Sequence, residues 1–147
     1  MKRLVTTIAI AASPAAVWAA LIDLERYPAW NPFITSATGD LREGGRLRVR
    51  IAPPGGRPMT FKPTVTVVDP ERRLEWLGHL GVPGLFDGRH AFTLEEGPDG
   101  ATHLTQEESF SGALVALLGG SLQRTEAGFV AMNEALRDLV EPTAVPQ

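Results

Sequence analysis

The chain has 147 residues, room for one domain of ordinary size. Its 44% hydrophobic and 21% charged residues match globular averages, which excludes a disordered chain or a coiled coil. Fourteen basic against seventeen acidic residues leave a net charge of −3, with no basic excess to draw in nucleic acid or anionic lipid, and the lack of cysteine excludes disulfides, thiolate metal sites and cysteine nucleophiles.

The first twenty residues have the outline of a secretory signal, with Lys2 and Arg3 ahead of an apolar stretch. Their periodicity points elsewhere. Leu4, Thr6, Ile8 and Ile10 alternate with Val5, Thr7, Ala9 and Ala11, which predicts a strand. Ser13-Pro14 is then an N-cap followed by proline at the first helical position, and Val17, Trp18, Leu21 and Leu24 follow at helical spacing. No apolar run approaches the roughly 20 residues that span a bilayer. The expectation is a cytoplasmic protein without stable membrane insertion.

Pro28 and Pro32, in Tyr27-Pro28-Ala29-Trp30-Asn31-Pro32-Phe33, break any continuing helix. From there to about Phe110 the pattern is β. Ile34 to Thr38 is a short strand, and Gly44-Gly45 a turn. Leu47, Val49 and Ile51 form a buried face opposite Arg46, Arg48 and Arg50, a solvated cationic strip. Met59, Phe61, Val65 and Val67 share a phase, and Pro63 marks an edge or a bulge. Leu74, Trp76 and Gly78 share the next. A hairpin around Gly97-Pro98-Asp99-Gly100 places Phe86, Gly88, His90, Phe92 and Leu94 inward from one strand. Leu104, Gln106, Glu108 and Phe110 face inward from the other.

A helical pattern runs from about Ala113 to Val140, with Leu114, Leu118, Leu122, Thr125, Phe129, Met132, Leu136 and Leu139 as its apolar stripe. Gly119-Gly120 weakens its first part and is a place for a break or bend. There is no internal repeat and no linker, so the reading is a single domain over 1–147, ordered over about 2–141. The elements make an α+β plan. One helix does not fill the concavity of a twisted sheet, which leaves an apolar cavity suited to a small molecule.

The order of elements and several short motifs resemble the SRPBCC superfamily of START domains, birch-pollen-allergen-like proteins and polyketide cyclases. The motifs are Trp30-Asn31-Pro32-Phe33-Ile34, Leu74-Glu75-Trp76, Phe86-Asp87-Gly88-Arg89-His90-Ala91-Phe92 and Glu108-Ser109-Phe110-Ser111-Gly112. The likeness runs from Arg3 to about Glu141 and is strongest to small bacterial members labelled polyketide cyclase or dehydrase. It implies a helix-grip fold, a curved antiparallel sheet wrapped around a long C-terminal helix with an internal hydrophobic cavity. It also implies binding of lipids, polyketides or aromatic metabolites, and it carries no catalytic motif over to this chain.

Among the residues themselves His90 and Glu108 are the sharpest pair. A register that sets Phe92 opposite Gln106 places them side by side, as an acid–base pair, as groups orienting a ligand, or as two polar groups satisfying each other. A slip of one residue puts Glu107 inward instead. Trp76, Phe92, Phe61 and Phe129, with Leu122 and Gln106, are the further candidates for lining a pocket. Trp30 and Phe33 suit a lid at its mouth or a plug at the helix corner. The three histidines, His79, His90 and His103, fall on separate strands without metal-ligand spacing, and no cofactor is expected. Gly119-Gly120-Ser121 lacks the pattern of a nucleophile elbow, and the paired glycines lack phosphate-loop spacing. The leading function is binding of a small hydrophobic ligand by a monomer or homodimer, without nucleic acid. The alternatives are a cyclase or dehydratase using His90 as its acid–base group, and a protein-interaction module.

Overall fold

The computed structural model describes residues 1–117 and 120–142. Strand β1 (Lys2–Ile10) leads into α1 (Pro14–Ile22), a single 3-10 turn (Leu24–Arg26) and the short α2 (Tyr27–Trp30). Seven strands follow: β2 (Ile34–Gly39), β3 (Leu47–Ile51), β4 (Met59–Phe61), β5 (Thr64–Asp69), β6 (Arg73–His79), β7 (Asp87–Glu96) and β8 (Thr102–Ser111). A 3-10 turn at Val115–Leu117 precedes the last helix, α3 (Ser121–Val140). Among the described residues no helix is long and apolar enough to cross a membrane.

All neighbouring strands are antiparallel, in the orders β1-β8-β7-β6-β5 and β2-β3-β4. The two groups form one curved sheet because β4 and β5 are halves of a single run divided at the buried Pro63. The first half pairs with β3 and the second with β6. Proline has no N–H to continue a ladder. Its carbonyl still accepts from Leu47 N–H at 2.9 Å, and an Arg46–Thr64 bridge holds the seam. A bulge between Val65 and Val67 then moves Val67 out of the phase it was expected to share with Val65.

Ser13 caps α1 as its sequence predicts, its hydroxyl accepting from Ala16 N–H at 3.2 Å with Pro14 next in line. The proline-rich segment differs from expectation. Pro28 lies in the first turn of α2, where a missing N–H removes no helical bond, so a short helix forms where a break was predicted. Asn31 ends it, its side-chain oxygen accepting from Phe33 N–H at 3.0 Å and Ile34 N–H at 2.8 Å, which aims the chain into β2.

The last helix also differs. It begins at Ser121, not near Ala113. Gly112 turns the chain at φ 114°, and a side chain there would collide with the backbone of Gly84 and Leu85. The N–H groups of Ala113 and Leu114 bond to the carbonyls of Gly84 and Leu85, which ties this stretch to the β6–β7 loop in a non-helical course. Leu114 is therefore 37% exposed and Leu139, near the far end of α3, 48% exposed, and neither belongs to a buried stripe. Leu118 lies outside the described residues. The buried face of α3 is Gly128, Phe129, Met132, Asn133 and Leu136, packed with Ile10, Val17, Leu21, Leu74 and Leu104.

At Gly128 the approach is closest: an added Cβ would run into the ring of Phe33. Gly128→Ala is expected to cost about 1–3 kcal/mol by overpacking, seen as a lower urea midpoint, whereas Gly120→Ala, with open space around it, stays within about 0.5 kcal/mol of wild type.

Glu75 points to the outer face of β6 yet is only 6% exposed. Burial pushes its carboxyl up, but donors on Thr66 (2.7 Å), Arg73 (2.8 Å) and Arg89 (2.8 Å) outweigh this and hold it below the ordinary 4.5. A depressed carboxyl stabilises the fold above its unfolded value, and that contribution is lost as pH falls through the folded value. Glu75→Gln should cost about 1–2 kcal/mol at neutral pH. In urea melts across a pH series the gap to wild type should begin to narrow as pH drops below about 4.5, the ordinary glutamate value, and close only below the lower folded value.

Candidate functional site

Antiparallel register sets the side chains of the central strands in rows. One row runs Val65, Trp76, His90, Glu108 and Leu4, across β5, β6, β7, β8 and β1. The neighbouring row on the same face is Leu74, Phe92, Gln106 and Thr6. On the other side lies Gly78, Gly88 and Phe110. The hairpin pairs His90 with Glu108 and Phe92 with Gln106 as predicted.

The buried part of α3 covers the Phe92–Gln106 row. Over the Trp76–His90–Glu108 row α3 sets Phe129 against His90 and beyond that only its first turns, and in the next row Gly78 and Gly88 supply no side chains. The space left is a cavity of about 420 Å³. Its base is Trp76, His90 and Glu108, one wall is Val49, Ile51, Met59 and Phe61, and Leu122 and Thr125 of α3 face it. Phe33 closes the deep end, wedged on Gly128 with its ring 5.4 Å from that of Phe129 at 78°. Leu80, Phe86, Leu114, Arg57 and Arg124 form the rim.

Trp76, His90, Glu108, Phe61, Phe33 and Leu122 thus come together around one space. Phe92, Gln106 and Phe129 do not line it. Each is fully buried: Phe92 and Gln106 lie one row too deep, under α3, and Phe129 sits on α3 about one turn beyond Thr125. Phe33 is the plug and not a lid. Trp30 lies elsewhere, edge-on to Tyr27 at 5.3 Å, in a shallow groove with Ala19, Ala20 and Leu139. Arg46, Arg48 and Arg50 are exposed, away from the cavity. Ser121 reaches the cavity wall as the first residue of α3, and Gly119 lies outside the described residues.

His90 is 4% exposed and held from three sides. Trp76 stacks on it at 5.3 Å and 22°, while Phe92 and Phe129 each stand 4.9 Å away at steeper angles. Nδ1 lies 3.4 Å from Glu108 Oε1, and Nε2 lies 3.0 Å from Gln106 Oε1. Behind Gln106 the polar chain continues to Asn133 and Thr6. Asn133 was missed by the sequence reading, since its neighbour Met132 supplied the apolar stripe. The glycines of the outer row were legible as in phase with Trp76 and His90, but not as the source of the space.

His79 belongs to the rim. Its Nδ1 is 2.6 Å from Asp87, whose carboxylate also accepts from Gly84 N–H at 3.1 Å; these bonds hold the Asp87 carboxyl below its ordinary value. His103 is exposed on the opposite face of β8. Among the described residues no three potential metal ligands come together.

A curved antiparallel sheet gripping a C-terminal helix, with a cavity between them, is the helix-grip architecture of START-like proteins. The chain belongs to the polyketide cyclase / dehydrase and lipid transport family, whose sequence profile matches residues 1–141. Solved structures agree on the fold. A hypothetical protein of Helicobacter pylori superposes with a TM-score of 0.79 at 16% identity, over 95% of this chain and 88% of its own. A START superfamily protein of Mycobacterium smegmatis gives 0.72 at 21%, over 94% and 96%. A protein of Mesorhizobium loti gives 0.71 at 23%, over 98% and 100%. No curated protein matches the sequence.

The carboxylate of Glu108 lies flat across Gly88, where any Cβ would meet its Oε2. In a crystal structure of Gly88→Ala the carboxylate is expected to swing away from residue 88 and from His90, at little cost in stability because the atom in the way is the free end of a flexible side chain. A carboxylate found unmoved would mean that the strand yields instead.

Proposed function

We propose that the protein binds a small hydrophobic molecule in the cavity between sheet and helix, with His90 and Glu108 setting its orientation. One observation carries this reading: a largely apolar, partly open cavity whose base holds a single polar row. An apolar cavity of about 150 Å³ takes benzene. A space of about 420 Å³ therefore suits a ligand of two or three fused rings or a short acyl chain. Each 100 Å² of apolar ligand surface removed from water contributes about 2.5 kcal/mol, so the walls supply affinity and the polar row supplies specificity. Membership of a family described by polyketide cyclase, dehydrase and lipid-transport activities supports a ligand of this class.

A second reading, acid–base catalysis, is favoured by the 3.4 Å approach of His90 Nδ1 to Glu108 Oε1 at the cavity wall. Such a pair can take a proton from an enolisable substrate and return it. On this reading His90→Ala abolishes turnover and leaves the fold intact.

Binding is tested with N-phenyl-1-naphthylamine, whose emission rises on leaving water. Leu122→Trp, which fills the space from the helix side, should weaken the probe roughly tenfold or more without lowering the melting temperature. Equal binding by both proteins would place the probe elsewhere and count against the cavity. Organic extraction of protein purified from its native host, followed by mass spectrometry, then identifies the natural ligand.

A further inference from the structure

A buried line of polar groups runs from β1 through α3 to His90, and it has only one consistent direction. Thr6, Gln106 and Asn133 are 7%, 0% and 2% exposed, so protein groups must satisfy them. The Thr6 hydroxyl lies 3.0 Å from the backbone carbonyl of Gln106, which can only accept, so the hydroxyl donates there. Its oxygen is then the acceptor for Asn133, which must present its NH₂ at 2.9 Å. That turns the Asn133 carbonyl oxygen toward Gln106, 2.6 Å from the Gln106 NH₂. The same NH₂ reaches the backbone carbonyl of Phe129 at 3.4 Å, a second anchor of the same sense. Only the Gln106 carbonyl oxygen is left for His90, and at 3.0 Å it requires a proton on Nε2.

With Nε2 committed as a donor, Nδ1 of the neutral ring is a lone pair facing Glu108, whose ionised carboxylate also only accepts. When the two groups hold one proton, it lies between them, and what remains for a ligand is the other carboxylate oxygen, again an acceptor. The hydroxyl and guanidinium donors of the cavity belong to Thr125, Ser121, Arg57 and Arg124, on the helix and the rim.

We infer that the Thr6–Asn133–Gln106 relay makes the base of the cavity an acceptor site, which selects ligands presenting a hydroxyl donor (an alcohol, phenol or enol) over isosteres offering only an acceptor. This rests on the cavity being a ligand site. Thr6, Asn133 and Gln106 are positioning residues that act through His90.

The test is calorimetric titration of the full chain with 2-naphthol and 2-methoxynaphthalene. The naphthol should bind roughly tenfold tighter or more, as expected where a buried acceptor would otherwise go unpaired. In Glu108→Gln, which keeps the size and adds a donor, the preference should fall to near parity, whereas one due to ligand size would persist and overturn the inference. Long-range ¹H–¹⁵N spectra of the His90 ring should show Nε2 protonated throughout in wild type, and a mixture of tautomers in Thr6→Val, which removes the anchoring hydroxyl. Equal affinities in wild type, or an Nδ1–H ring, overturn the acceptor site and leave the cavity as a ligand site. Binding of neither compound sinks both.

Discussion

Antiparallel pairing of β6, β7 and β8 puts one side chain from each strand into every row, and the rows differ in how far the buried face of α3 covers them. The fully covered row becomes dry core, and the row that α3 meets only in part becomes the site. The cavity is therefore less a pocket cut into a domain than the part of a concave sheet that one helix does not fill. Two features set its extent. Gly78 and Gly88 remove side chains from the outer row, and Gly112 diverts the chain onto the β6–β7 loop so that α3 begins late. Phe33, wedged on Gly128, seals the boundary.

The polar line behind His90 runs through the part of the core where Leu or Met would pack more simply. Removing one member would strand its partner at about 1–3 kcal/mol, so such a line survives only when complete. Each of its bonds falls between 2.6 and 3.4 Å, and the line is anchored by two backbone carbonyls that can only accept, which passes a fixed sense along to the His90 ring. Arrangements like this hold a side chain in one orientation and one tautomer, which an apolar core cannot do. The aromatic rings of Trp76, Phe92 and Phe129 fix the plane of the imidazole, and the relay fixes its protons.

Much of this was legible in the sequence. Alternation and apolar ends predicted which residues of β7 and β8 face inward, and of the two registers left open, Glu108 inward or Glu107 inward, the structure has the first. The pairing of His90 with Glu108 followed from it. What was not legible was depth. Phe92 and Gln106 share a phase with His90, and periodicity cannot tell a row under the helix from one beyond its reach. The start of α3 was displaced by the tie of Ala113 and Leu114 to a loop some thirty residues upstream, a contact that leaves no periodic signal. Asn133 lay hidden because a helical stripe is judged by its apolar members. The buried Glu75 reads as solvent-facing until Arg73 and Arg89 close over it.

The two faces of β7 also constrain each other. Arg89 points outward to Glu75 while its neighbour His90 points inward to Gln106, and on β8 Glu107 pairs outward with Arg3 at 2.7 Å while Glu108 faces the cavity. Shifting either strand by one residue would bring Arg89 or Glu107 into an apolar interior and turn His90, Gln106 or Glu108 to solvent. Unpaired buried charge costs several kcal/mol, far more than the apolar pattern alone would lose by a small misfit. The outer ion pairs, of modest worth where exposed, thereby act as a register lock for the inner site. Both networks are built on the same hairpin, so the accuracy with which His90 and Glu108 meet is inherited from contacts on the opposite face of the sheet.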